Sequence, residues 1–151
     1  MEEFLIKANR FLYRNPENVI INSLTGGDMK VIEYNDGGYT YRNYFTEGRN
    51  IYGQVIISFK KFPIWVMQYQ GGATNDRIDE RTIRKMKVLS MKNQGLADEL
   101  YPIRGPRENE SSGFVYSNTL FGSIQKFQGQ ETIQFNDETY YNLILSGGML
   151  V

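Results

Sequence analysis

The chain contains an internal repeat, and this repeat restricts the possible folds more than any other feature. Residues 38–72 align with residues 113–148 after a one-residue insertion in the second copy. The aligned positions are Gly38, Tyr39, Tyr41, Asn43, Gly53, Gln54, Ile57, Phe59, Gly71 and Gly72 in the first copy and Gly113, Phe114, Tyr116, Asn118, Gly129, Gln130, Ile133, Phe135, Gly147 and Gly148 in the second. Because the order and the spacing agree throughout, we expect two similar structural units.

Each copy predicts three strands joined as a meander. Apolar and aromatic residues alternate along the third strand, which is typical of a strand with one buried face. The predicted core positions are Trp65, Met67 and Tyr69 in the first copy and Tyr141, Leu143 and Leu145 in the second. Lys60-Lys61 and Asn136-Asp137-Glu138 stand between consecutive apolar runs, and Asn-Asp is ordinary turn chemistry, so both segments predict tight connections.

A Gly-Gln pair interrupts the second predicted strand of each copy, as Gly53-Gln54 and Gly129-Gln130. Glycine inside a strand lowers stability unless a bulge, a bend or a close approach requires it. A bulge that lets a long strand curl is one interpretation, and a ligand against the bare backbone is the other. The pattern favours the bulge.

Two helices frame the repeats. The first covers residues 2–13, since Phe4, Leu5, Ala8, Phe11 and Leu12 recur at helical spacing. The second lies between the repeats, capped by Asn75 or Asp76 and ended by Gly95. We predict an α+β fold with a curved antiparallel sheet or partly closed barrel. It forms one pseudo-symmetric domain over residues 1–151, with repeats at about 38–72 and 113–148.

The absence of two residue types excludes much chemistry. The chain has no His and no Cys. It therefore lacks thiolate nucleophiles, catalytic triads that contain His or Cys, and nearly all transition-metal sites. A Ca²⁺ or Mg²⁺ site built from oxygen ligands alone stays open, but no residue pattern predicts one, and we expect no metal site and no cofactor.

The net charge is zero but unevenly distributed. Residues 77–107 hold eight basic and four acidic side chains, and residues 108–151 hold one basic and five acidic. Nucleic-acid-binding domains usually carry a larger basic excess, so direct nucleic-acid binding is not expected. The N-terminus begins Met1-Glu2-Glu3 and no apolar run approaches membrane-spanning length, so we expect a cytoplasmic protein without membrane contact.

Several segments together resemble a bacterial domain family of unknown function. They are FLIKANRFLY near the N-terminus, YFTEGRNIYGQVIISFKKFPIWVMQYQGG, RGPRE, and GFVYSNTLFGSIQKFQGQETIQF followed by YYNLILSGGMLV. Members occur alone or fused behind a helix-turn-helix DNA-binding domain of the XRE repressor type. Residues 1–37 carry one predicted helix and no such domain. The resemblance implies a sensor-like or effector-like module without its own DNA reader, and it implies no catalytic residues.

Polar and aromatic side chains at matched positions are the candidate ligand-binding residues, together with one loop arginine. They are Tyr41, Asn43, Trp65, Gln68, Tyr116 and Arg104. A concave sheet lined by amphipathic rings would offer hydrogen bonds to a small molecule. The alternatives are that the rings are core residues and that Arg104 pairs with Glu108 or Glu110.

Two glycine-containing segments, Leu24–Asp28 and Gly71-Gly72, lack the spacing of phosphate-binding loops and predict turns.

The leading functional hypothesis is a small-ligand-binding or protein-binding module of a regulatory system. The alternative is an enzyme that uses Asp/Glu, Tyr or Arg chemistry without His or a transition metal. The enzyme hypothesis requires two carboxylates, or a carboxylate with Arg or Tyr, within hydrogen-bonding reach in one pocket.

Overall fold

A computed structural model describes residues 1–16, 19–24 and 27–151. Within these residues there are two helices, α1 (Glu2–Tyr13) and α2 (Glu80–Gln94). The strands are β1 (Asn22–Ser23), β2 (Lys30–Asp36), β3 (Tyr39–Phe45), β4 (Asn50–Phe59), β5 (Phe62–Ala73), β6 (Glu108–Ser111), β7 (Phe114–Ser123), β8 (Lys126–Phe135) and β9 (Glu138–Met149). They form one antiparallel sheet in the order β1-β2-β3-β4-β5-β9-β8-β7-β6. The predicted α+β fold with a curved antiparallel sheet is confirmed, and the sheet is open.

Each meander has four strands, one more than the repeat predicted, because β2 and β6 precede the aligned segments. Two-residue turns with left-handed backbone join four of the hairpins, at Gly37-Gly38, Lys60-Lys61, Ser112-Gly113 and Asn136-Asp137. All eight turn residues have φ between 47° and 83°. This left-handed backbone matches the twist of antiparallel strands, so the two tight connections predicted from sequence are confirmed. The second is one residue shorter than predicted, because Glu138 already belongs to β9.

The two meanders meet where β5 pairs with β9. Tyr69 lies opposite Leu145, and the alignment also equates these two residues. Trp65 lies opposite Met149, and Ala73 lies opposite Tyr141, the residue aligned with Trp65. The register is therefore symmetric about the Tyr69–Leu145 pair.

Helix α1 packs on the face of the sheet that carries the core. Its residues Leu5, Ala8 and Leu12 are at most 1% exposed, as the apolar spacing predicted. The prediction is wrong at Phe11, which is 66% exposed, because its ring packs at the surface against Tyr34 with centroids 4.8 Å apart. The buried side of α1 therefore differs from the predicted stripe: it excludes Phe11 and also includes Ile6, Asn9 and Tyr13.

The two strand glycines do not form bulges. The register shifts lie instead between Ile57 and Ser58 and between Ile133 and Gln134. Gly53 lies opposite Tyr69, and a Cβ on Gly53 would collide with the phenol ring of Tyr69. The bulge prediction is therefore wrong: Gly53 is needed because an aromatic side chain lies across the backbone.

Helix α2 begins at a different cap from the one predicted. Asp79 is the N-cap, and its carboxylate accepts hydrogen bonds from the Thr82 amide at 2.9 Å and the Thr82 hydroxyl at 2.8 Å. Asn75 and Asp76 lie upstream of the helix. Gly95 ends α2 as predicted, and a side chain there would collide with the backbone of Tyr13 and Arg14.

The cap makes helix α2 sensitive to acid. Hydrogen bonds from Thr82 hold the pKa of Asp79 below its usual value. The cap therefore contributes fully to the stability of α2 above pH ~4, the ordinary aspartate pKa, and its contribution is lost as pH falls through the lower folded pKa.

We expect Asp79→Ala to speed amide hydrogen exchange in the first turn of α2 at pH 7, and the difference from the parent to shrink near pH 2.5. Asp79→Asn, which does not titrate, is the control; an equal difference at both pH values would contradict the prediction.

Among the described residues, no helix combines the length and the apolar character needed to cross a membrane.

Candidate functional site

A cavity of about 450 Å³ lies between helix α2 and the sheet face that carries the core. Its polar walls carry Tyr13, Asn43, Tyr69, Ser90, Gln94, Arg104 and Tyr141. Its apolar walls carry Ile21, Ile32, Phe45, Ile51, Ile83 and Met91. This volume and this mixture are typical of small-molecule sites, so we call this space the first cavity.

A buried ion pair lies at one end of the first cavity, where Arg104 lines the cavity and Glu131 lies behind Arg104. Arg104 Nε donates to Glu131 Oε2 at 2.5 Å, and Arg104 Nη2 donates to Oε1 at 3.1 Å. Tyr116 donates to Oε2 at 2.6 Å, and Ser90 donates to Oε1 at 3.0 Å. Glu131 is fully buried and Arg104 is 4% exposed. Such a two-pronged pair sets the position and the plane of the guanidinium.

A second polar group connects α1 to the sheet. The hydroxyl oxygens of Tyr13 and Tyr41 are 2.8 Å apart, and Asn43 Nδ2 donates to the Tyr13 oxygen at 3.0 Å. Tyr69 donates to Asn43 Oδ1 at 2.9 Å. The Tyr69 ring also lies under Arg104, with the guanidinium carbon 5.3 Å from its centroid. The two polar groups therefore meet at Tyr69.

Burial and nearby charge raise the pKa values of the buried groups around the first cavity, which keeps the protonation states that these groups ordinarily have near pH 7. Burial raises the pKa values of Tyr13, Tyr41, Tyr69 and Tyr116 above the usual tyrosine value, so their hydroxyls are neutral near pH 7. Burial by itself would lower the pKa of Arg104, but the charge and hydrogen bonds of Glu131 outweigh it and raise the pKa. The cavity thus offers neutral hydroxyls beside a permanently charged guanidinium.

The mouth of the first cavity carries charges of both signs. Glu47, Glu80, Arg84 and Lys87 line it. Glu80 accepts a hydrogen bond from Arg49 at 2.9 Å, and Lys87 donates to the Gly48 carbonyl. Partial burial lowers the pKa of Lys87. No single sign of charge dominates this entrance.

Two of the six predicted ligand-binding residues, Asn43 and Arg104, line the first cavity. Tyr41 lies directly behind its wall, since it contacts Tyr13. Tyr116 lies deeper, since it contacts Glu131, which holds Arg104 from behind. Of the predicted alternatives, an ion pair for Arg104 does form, but its partner is Glu131 rather than Glu108 or Glu110.

Trp65 and Gln68 lie away from the first cavity. The Trp65 side chain is fully buried, donates to the Ile124 carbonyl at 2.9 Å and stacks on Phe127, so it occupies the core. Gln68 is exposed on the opposite face of the sheet, because its position in β5 alternates with those of the core residues. The six candidates therefore do not share one site.

Sequence reasoning missed Glu131, although the repeat contains a signal for it. Glu131 aligns with Val55, a fully buried residue of β4, so a carboxylate replaces an aliphatic side chain at a core position. A charge at such a position requires a buried partner. Nothing comparable marks Tyr13, Ser90 or Gln94, since each belongs to a helix whose packing the repeat does not define.

The geometry bears on the enzyme hypothesis. Glu131, Arg104 and Tyr116 lie within hydrogen-bonding reach of one another, as that hypothesis requires. Glu131 does not line the first cavity, however, and both of its oxygens already accept two hydrogen bonds. The carboxylate is therefore arranged to hold Arg104 rather than to exchange a proton with a substrate. In the described part of the chain, no group of three or more acidic residues lies close enough to hold a metal ion.

The sequence predicts turns at Gly71-Gly72 and at Leu24–Asp28, and the structure tests only the first of these predictions fully. Gly71-Gly72 is not a turn, because it continues strand β5 opposite Asn142 and Leu143. The segment Leu24–Asp28 includes positions 25 and 26, which lie outside the described residues.

Fold and site together define an α+β domain in which two helices cover one face of an open antiparallel sheet above a polar-walled cavity. The chain belongs to the family described as domain of unknown function (DUF5680), whose model matches residues 43–150. The predicted membership in a family of unknown function is confirmed. The match includes Ser90, Arg104, Tyr116 and Glu131 but begins after α1, which supplies Tyr13. No curated protein and no solved structure matches the chain.

Proposed function

We propose that this protein is a small-molecule-binding domain and that its ligand lies in the first cavity. Arg104 carries the proposal. Its Nε and Nη2 atoms are used by Glu131 and Ser90, and its Nη1 atom has no hydrogen-bond partner among the described residues. Arg104 lines the cavity. A buried guanidinium that is held rigidly and has a donor to spare is suited to bind a carbonyl or carboxylate oxygen.

The other walls narrow the ligand class. Gln94 and Asn43 carry amides, and Ser90 and Tyr69 carry hydroxyls, so the polar end of the ligand meets neutral groups beside Arg104. Ile32, Phe45 and Met91 offer an apolar surface to the rest of the ligand. We infer an amphipathic compound with one acceptor group. The resemblance to effector modules supports a role in which this ligand regulates a protein partner, within one domain built from two copies of a repeat.

Ligand binding should raise the melting temperature. A ligand at 100 times its Kd stabilises the folded state by about 2.7 kcal/mol, which is roughly 5–10 °C for a chain of this size. We expect compounds that stabilise the protein in a thermal-shift screen of carboxylates, amides and ketones with apolar bodies. In NMR spectra of the ¹⁵N-labelled protein, each stabilising compound should shift the side-chain resonances of Arg104 and Gln94.

A filled cavity provides the control. Ile51→Trp places a large side chain at the wall, so it should abolish the stabilisation by each hit while the protein stays folded. Ile144→Trp puts the same residue on the exposed opposite face, where Ile144 is 62% exposed, and should leave the stabilisation unchanged. Equal stabilisation of both variants, or no hit across the screen, would contradict binding in the first cavity.

A further inference from the structure

A second cavity, of about 580 Å³, lies between the β7–β8 hairpin and the segment 99–103. Ile103, Asn118 and Phe127 are its buried residues. Exposed carboxylates of Glu2 and Glu99 stand at its mouth with the guanidinium of Arg107. This cavity is separate from the first, and none of its lining residues is shared with it.

The second cavity occupies the place in its meander that the first cavity occupies in the other. Residues 43 and 45–48 line the first cavity, and the aligned residues 118 and 120–123 line the second. Asn43 and Asn118 are both buried on the core side of equivalent strands. The two meanders thus each enclose a cavity beside the same asparagine.

The two asparagines differ in their hydrogen bonds. Asn43 donates to Tyr13, and its Oδ1 accepts from Tyr69. Asn118 donates from Nδ2 to the Arg104 carbonyl at 2.5 Å, but its Oδ1 is the one buried side-chain polar atom in the described residues that has no partner. The residue aligned with Tyr69 is Leu145, which has no hydroxyl. A buried acceptor without a partner is rare in folded proteins, and a ligand or an ordered water in the adjoining cavity would supply the missing donor.

We propose that the second cavity binds a small organic ammonium ion with an apolar body. The ammonium donates an N–H to Asn118 Oδ1. This hydrogen bond is equivalent to the one that Tyr69 donates to Asn43 Oδ1 in the other meander. Glu2 and Glu99 outweigh Arg107 in charge, so the mouth favours a cation over an anion. The apolar body packs on Leu120, Ile124 and Phe127. This site does not depend on the proposed function of the first cavity.

Two probes of the same shape and opposite charge test the proposal: 2-phenylethylamine and 3-phenylpropionate. Each is titrated into the ¹⁵N-labelled protein, with the side-chain amide resonances of Asn118 and Asn43 as readouts. We expect the amine to shift the Asn118 resonances with saturation and the carboxylate to leave them unchanged. Saturable shifts at Asn43 instead would place the amine in the first cavity and would overturn the proposal, as would equal binding of both probes or none at millimolar concentration.

Exposed carboxylates allow a second test that does not endanger folding. Glu99→Gln and Glu2→Gln should each weaken amine binding by about two- to fivefold, the range for a solvent-exposed charge pair. Arg107→Gln should strengthen binding by a similar factor. Glu110→Gln, an exposed carboxylate of β6 that lines neither cavity, should change nothing. If the Glu2, Glu99 and Glu110 variants bind the amine with the same affinity, the carboxylates at the mouth do not attract it and the proposal fails.

Discussion

Glu131→Gln should lower the free energy of unfolding by about 3–5 kcal/mol, because it leaves the Arg104 guanidinium buried without a counter-charge. Glu131 is fully buried, and its two oxygens accept hydrogen bonds from Arg104, Ser90 and Tyr116. Urea unfolding followed by the fluorescence of Trp65, the only tryptophan, measures the effect. A loss of less than 1 kcal/mol would show that the pair is not a major determinant of stability.

A double variant separates the pair's structural role from its proposed role in binding. Arg104→Met with Glu131→Val removes both charges and places at 131 the residue found at the aligned position 55. Replacing a whole buried ion pair by apolar residues is often neutral or stabilising, so the double variant should be more stable than Glu131→Gln. It should nevertheless fail to respond to ligands of the first cavity. Retained response in a folded double variant would remove Arg104 from the proposed site.

Gly53→Ala should lower the free energy of unfolding by about 2–4 kcal/mol, because it overpacks the sheet and breaks a hydrogen bond. The new Cβ would collide with the phenol ring of Tyr69, which is confined between the sheet and Arg104. If the ring moves, its hydroxyl leaves Asn43 Oδ1 and the wall of the first cavity changes. Chemical denaturation measures the stability, and the Asn43 amide resonances report the hydrogen bond.

The reason for the loss is tested by repeating the substitution in a Tyr69→Leu background. Leucine is the residue at the aligned position 145, and it removes the phenol atoms that meet the new Cβ. Gly53→Ala should then cost at least about 1–2 kcal/mol less than it does alone, a coupling typical of residues in contact. An equal cost in both backgrounds would show that the backbone, rather than Tyr69, requires glycine at this position.

Several local features of the fold are predicted correctly from the sequence. They are the bounds of helix α1 at residues 2–13, the turns at Lys60-Lys61 and Asn136-Asp137, and the core side of the third strand of each copy. Each of these features depends on neighbours a few residues away, through helical spacing, strand alternation or the backbone preference of a two-residue turn. Local patterns of this kind are present in the sequence itself.

The errors have a different origin. Helix α2 is capped by Asp79 and not by the predicted Asn75 or Asp76. All three side chains are able to cap a helix, and the position of the helix on the sheet selects one of them. The strand pattern predicts a bulge at Gly53, but Gly53 accommodates the side chain of Tyr69, sixteen positions later on the next strand. The prediction from sequence groups Gln68 with the inward-facing candidates, although strand alternation alone places Gln68 on the face opposite to that of Met67.

The pattern shared by residues 38–72 and 113–148 is enough to predict the α+β class, the curved antiparallel sheet and a helix between two meanders. Packing in three dimensions brings Arg104, from a loop, to Glu131 of β8 and Ser90 of α2. Packing also gives Asn43 two tyrosine partners, whereas Asn118 Oδ1 has no partner among the described residues. The two kinds of feature differ in the distance along the chain over which they arise. Periodicity acts between residues close in the chain, whereas a buried polar group is satisfied by whichever partner packing brings within about 3 Å.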